Sequence, residues 1–157
     1  MSDTRVWLIT GASRGIGLAL AQQVIADGDR VAILARGDAV HELAQQLGER
    51  CIACQADVSD ADAVAAAVAR IVEHWGRLDV VVNNAGLHRG GKVGRLALED
   101  WQAVLDTNLT GSLNVISSAR EHLQAGSAIV NVGAVVGFRG FPGDAAYGAS
   151  KAGLSGL

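Results

Sequence analysis

Tyr147 and Lys151 stand four positions apart in the segment YGASK. On a helix that spacing stacks a phenol and an ammonium on one face. A positive charge beside a phenol favours the phenolate, so the pair is suited to passing a proton near neutral pH. An ordinary surface pair has the same spacing, and only the rest of the chain can decide between the two.

A second chemical signature is TGASRGIG, spanning Thr10, Gly11, Ser13, Arg14, Gly15, Ile16 and Gly17. It follows a short apolar run and leads into an expected helix over residues 16–26. Glycines at a strand-to-helix turn let the backbone approach a pyrophosphate, whose charge is favoured by the free N–H groups at the helix start. The spacing is GxxxGxG, distinct from the GxGxxG dinucleotide fingerprint, and a tight turn alone would also use such glycines. The second apolar run ends at Ala35 and Arg36, where a carboxylate would select the ribose 2′-hydroxyl of NAD and an arginine suits a 2′-phosphate. Arg14 and Arg36 together point to NADP(H), with NAD(H) the weaker alternative. Asp38 lies close enough to reach a ribose, but its expected role is to cap the next helix. Asp57, in ADVS, is either one more acid at a helix start or, by resemblance to a known dinucleotide-binding family, an adenine contact.

Other candidate chemistry falls away. Cys51 and Cys54 form a CxxC inside CIACQA, which reads as a buried strand that sends residues three apart to opposite faces. A redox CxxC opens a helix and a structural zinc needs more ligands, so both thiols are assigned to the core. His41, His74, His88 and His122 show no metal-like spacing and are read as surface residues; no metal site is expected. With 13 Lys and Arg against 16 Asp and Glu, the net charge is -3, and the basic residues are scattered. Neither nucleic acid nor an anionic membrane is therefore expected as a partner. The N-terminus lacks a signal-peptide pattern and no stretch approaches a membrane span, so a cytoplasmic protein is the expectation.

The elements that must position these residues alternate. RVWLIT, RVAILA, CIACQA, LDVVVNN and SAIVNVG are short aliphatic runs separated by segments of helical length. This βα alternation predicts an α/β fold with a doubly wound parallel sheet, its strands apolar throughout because helices cover both faces. A helix over residues 61–75, capped by Ser59 or Asp60, joins the third and fourth strands. The 157 residues suit one domain, and the only proline, Pro142, lies in a glycine-rich loop ahead of the Tyr147 helix.

The glycine loop, NNAG at Asn83 to Gly86, Asn108 in DTNLTG, and the YxxxK pair occur in one order across nearly the whole chain. In these motifs the sequence resembles the classical short-chain dehydrogenase/reductase family. The resemblance implies a Rossmann-like sheet of strand order 3-2-1-4-5 and a single dinucleotide-binding domain over residues 1–157. It implies an oxidoreductase that moves a hydride between nicotinamide and a carbonyl or alcohol substrate. Tyr147 would exchange the proton at the substrate oxygen, Lys151 would tune it and bind the nicotinamide ribose, and Asn108 would hold a relay water. Thr10, Gly11, Ser13, Arg14, Gly15, Ile16, Gly17, Arg36, Asp57, Val58, Asn84, Ala85 and Gly86, with Tyr147 and Lys151, would line the cofactor site.

Two departures qualify that expectation. The family's carbonyl-polarising serine falls at Ala134, and loss of such a donor typically costs about 10² to 10³ in turnover. Ser127, at the wrong end of the fifth strand, and Ser150, on another helix face, are poor replacements. The family pattern also continues past residue 157, so the domain is expected to be incomplete, lacking the family's last strands and leaving the fifth strand as an exposed apolar edge. Activity is expected to be low or absent. The alternative reading is an inactive cofactor-binding or interaction module, and the two long helices are candidate surfaces for a homo-oligomer.

Overall fold

The computed structural model describes residues 4–157. Short apolar runs pair into a five-stranded parallel sheet because each is followed by a helical crossover that returns the chain to the same end. The elements are β1 (Val6–Thr10), α1 (Gly15–Ala26), β2 (Arg30–Ala35), α2 (Ala39–Leu47), β3 (Cys51–Gln55), α3 (Ala61–Trp75) and β4 (Val80–Asn83). Then come α4 (Leu98–Leu105), a π-helical turn (Asp106–Thr110), α5 (Gly111–Ala119), β5 (Ala128–Asn131), the short α6 (Val136–Arg139) and α7 (Ala145–Gly153).

The sheet order is β3-β2-β1-β4-β5, as the sequence predicts. The chain steps outward from β1 to β3 and then returns to the far side of β1. Winding therefore reverses between β1 and β4, and a crevice opens at their carboxyl ends. Register holds β1 between its neighbours, with Ile9 opposite Ile33 of β2 and Val82 of β4.

Alternation along the strands builds two cores. Leu8, Leu34, Cys54 and Val81 pack with Val64, Val68 and Ile71 of α3 and Val115 of α5. Ile9, Ile33, Cys51 and Val82 pack on the other face with Ala21 and Val24 of α1 and Val40 of α2. Cys51 and Cys54 thus lie on opposite faces of β3 as buried free thiols, in line with the core assignment. The edge strand β5 leaves Ile129 and Val130 40% and 47% exposed, matching the expected apolar edge.

One local detail departs from the sequence reading and two sharpen it. Of the two candidate caps for α3, Asp60 does the work, its carboxylate accepting from the Asp62 and Ala63 amides at 3.1 and 3.0 Å. Asp38 makes no side-chain cap for α2; its backbone is already helical, whereas a capping side chain needs an extended residue. Ser127 precedes β5 and accepts the Gln124 amide at 3.1 Å, closing the preceding turn. No helix among the described residues is long and apolar enough to cross a membrane.

Candidate active site and nucleotide cleft

The glycine turn is held in place from below by one hydroxyl. Buried Thr10, the last residue of β1, donates to the Val82 carbonyl and accepts the amides of Asn84 and Ala85 at 3.0 and 2.9 Å. The Asn84 amide returns the contact, donating to the Thr10 and Gly11 carbonyls at 3.0 and 3.2 Å. Two glycines make this approach possible. Gly11 has φ +64° and a Cβ there would stand 2.7 Å from the Ala85 Cα. A Cβ on Gly17 would fall 2.6 Å from both the Asn84 amide nitrogen and the Gly11 carbonyl oxygen.

Above the turn lies a cleft of about 290 Å³. It brings together Gly11, Ser13, Arg14, Gly15, Ile16, Arg36, Asp57, Val58, Asn84, Ala85 and Gly86, which are residues the sequence singles out. Thr10 and Gly17 stand behind the lining as supports. Leu34, Ala35, Ala56 and Thr107 also line it and were missed; Ala35, Ala56 and Thr107 adjoin Arg36, Asp57 and Asn108, the only signal available. Arg14 precedes α1 in extended conformation, and neither a side-chain cap nor an acidic residue occupies the helix's first turn. Such an N-terminus leaves backbone donors and the positive end of the dipole for an anion.

Arg36 extends over this cleft with its guanidinium 3.9 Å from the Asp57 carboxylate. Asp57 also accepts the Ser59 amide and hydroxyl at 2.9 and 2.7 Å. Its partial burial would raise the carboxyl pKa, but the Ser59 donors and Arg36 outweigh it and hold the group below its ordinary value. Asp57 thus braces the turn before α3, in line with its reading as a helix-start acid, and also lines the cleft.

Gly86 joins the cleft to the second cluster. A Cβ on it would lie 3.8 Å from the Asn108 side-chain oxygen and 3.9 Å from the Lys151 ammonium. The π-helical turn drives Asn108 inward, where its oxygen accepts the Leu87 amide at 2.7 Å and its nitrogen donates to the Leu87 carbonyl and Ser150 hydroxyl, both at 3.0 Å. Ser150 in turn donates to the Tyr147 carbonyl at 2.8 Å, an inward role that leaves it no part as a substrate donor. Lys151 is buried, donates to the Val132 carbonyl at 2.8 Å, and stands 5.7 Å from the centre of the Tyr147 ring. Burial lowers its pKa from the ordinary lysine value.

Ala134 lines a surface cavity with Lys151, Asn131 and Phe138, so a methyl occupies the expected hydroxyl position. His88 is an exposed surface histidine, as read from sequence, and it has partners that the sequence did not show. Its Nε2 lies 2.8 Å from an Asp144 carboxylate oxygen, and its ring meets the Tyr147 ring at 5.2 Å and 73°. No sequence spacing signals that contact, because 56 positions separate His88 from Asp144.

Comparison with known proteins agrees with this geometry. The family model described as short chain dehydrogenase matches residues 5–157. A 3-oxoacyl-[acyl-carrier-protein] reductase FabG of Staphylococcus aureus is 43% identical over the whole of this chain, and the match covers 67% of that protein. The similarly named proteins of Synechocystis and Chlamydia muridarum are 41% and 40% identical, over 98% and 96% of this chain and 65% and 63% of their own lengths. The chain spans about two thirds of the length of these relatives.

Proposed function

Because the chain belongs to the short chain dehydrogenase family, we propose that its two clusters form one NADP(H)-dependent site for reducing a carbonyl or oxidising the corresponding alcohol. The observation that carries this reading is the continuity from the glycine turn through Gly86 to Lys151 and Tyr147. The names of the relatives favour a 3-oxoacyl chain as the carbonyl class.

The cleft suits a dinucleotide phosphate. Gly11 and Gly17 keep the turn free of side chains, the start of α1 offers backbone donors, and Arg14 and Arg36 supply positive charge. Arg36 would leave Asp57 for a 2′-phosphate, which favours NADP(H) over NAD(H). Val58, Asn84 and Ala85 would complete the wall. When bound, the nicotinamide cofactor supplies or accepts the hydride at the substrate carbon. Tyr147 would exchange the proton at the substrate oxygen, with the Lys151 charge beside it favouring phenolate. The side-chain amide of Asn108 is engaged by Leu87 and Ser150, so a relay water would meet its backbone carbonyl, which accepts the Ser112 hydroxyl at 3.1 Å and keeps a second lone pair.

Ala134 offers no donor to the developing oxyanion, and turnover should be low for that reason. The test is loss of NADPH absorbance with a carbonyl panel that includes a 3-oxoacyl thioester, run on this chain and on Ala134→Ser. Oxidation of NADPH that rises in Ala134→Ser supports the reading. Failure of both chains to bind NADPH, or tighter binding of NADH, overturns it.

A further inference from the structure

The loop after β4 is strapped to the turn before α7 at two points. One is the backbone, where the Gly91 amide donates to the Gly143 carbonyl at 2.7 Å and Gly91 bridges Asp144. The other is the His88–Asp144 contact at 2.8 Å, which falls three residues ahead of Tyr147. The imidazole held by that contact meets the Tyr147 ring edge to face, the arrangement aromatic quadrupoles favour. Lys151 approaches the same ring from its own helix, while the segment after β5 offers Ala134, whose methyl cannot direct a phenol.

We infer that His88, tethered by Asp144, is a positioning residue for Tyr147, setting the orientation of the phenol in the site. The inference rests on the reading of Tyr147 as the proton-exchanging group. The physical reason is that a ring contact on a helix only one turn old restrains Tyr147 from the loop side, where its helix supplies nothing. His88 acts through the ring of Tyr147 and through the bond to Asp144, so both halves of the clamp are separable by substitution.

The chain contains one tyrosine, so fluorotyrosine incorporation labels Tyr147 alone. In the folded chain its fluorine resonance should be displaced from the position seen in denaturant. His88→Leu removes the ring and should shift the resonance toward the denatured position. Asp144→Ala cuts the tether and should move it in the same direction, while His88→Phe restores an aromatic ring and should recover much of the displacement. Far-ultraviolet circular dichroism checks that each variant is folded. An unmoved resonance in folded His88→Leu overturns the inference; if that variant does not fold, an unmoved resonance in Asp144→Ala does so. The measurement needs no turnover, so an unmoved resonance rejects the clamp, whereas absent NADPH binding rejects the functional reading.

Discussion

The Lys151 ammonium donates to the Val132 carbonyl at 2.8 Å, tying α7 to the residue that follows β5. This bond fixes a buried charge 5.7 Å from the Tyr147 ring centre and makes the pair a tertiary feature as well as a helical one. It also has a cost, because a buried ammonium gives up hydration that one hydrogen bond only partly replaces.

That cost gives a pH dependence. The folded-state pKa of Lys151 lies below its unfolded value, so near neutral pH the group is charged in both states and the full desolvation cost is present. As pH rises through the folded pKa, the folded chain releases the proton first and the cost fades. Lys151→Met, which removes this titration, should therefore compare most favourably with the native chain near neutrality. The gap in melting temperature should shift toward the native chain at alkaline pH; a gap independent of pH would contradict the assignment.

Ala134→Ser introduces a hydroxyl into the cavity that Ala134 shares with Lys151. If the missing donor is the main deficit, NADPH oxidation should rise by roughly 10² to 10³. Steady-state rates at saturating NADPH measure this directly. A rate unchanged by the serine would place the deficit elsewhere in the substrate site.

Arg36 is free to exchange Asp57 for a phosphate. Arg36→Leu should weaken NADPH by roughly 10- to 100-fold, the worth of a charge-assisted hydrogen bond, and leave NADH nearly unchanged. Nucleotide fluorescence titration gives both constants. Equal losses for the two nucleotides would mean that Arg36 does not read the 2′-phosphate.

Thr10→Val keeps the shape of a buried side chain and removes the hydroxyl shared by the Asn84 and Ala85 amides. Leaving those amides without their acceptor should cost about 1 to 3 kcal/mol. Urea denaturation would show the loss, and NADPH binding should weaken because the same amides hold the floor of the cleft.

Burial pushes the Cys51 thiol up to about 12, with Cys54 adding to it, and pushes Cys54 up to about 11 against the opposing pull of Arg70. Neither thiol should react with a disulfide reagent at mildly alkaline pH until the chain unfolds. Fast labelling of native protein would show that β3 opens readily.

Much of this was legible in the chain alone. The apolar runs and their helical spacers predicted the parallel α/β sheet, because each is a local pattern, and the family resemblance carried by the glycine turn, NNAG, Asn108 and YxxxK implied the strand order and most of the cleft lining. Thr107 and Ala56 escaped notice because lining a cleft depends on where neighbouring strands end. Asp38 was misassigned because a residue type suited to capping still needs the right backbone angles.

The division has a physical basis. Hydrophobic period, glycine placement and helical spacing are properties of adjacent residues, and they determined by themselves the α/β alternation and the pairing of Tyr147 with Lys151. Sheet register and crossover packing decided the rest: Thr10 beneath Asn84, Arg36 against Asp57, and His88 carried by the loop after β4 onto Tyr147. Those contacts join segments far apart in the chain, and no local pattern encodes which side chains two distant loops will bring together.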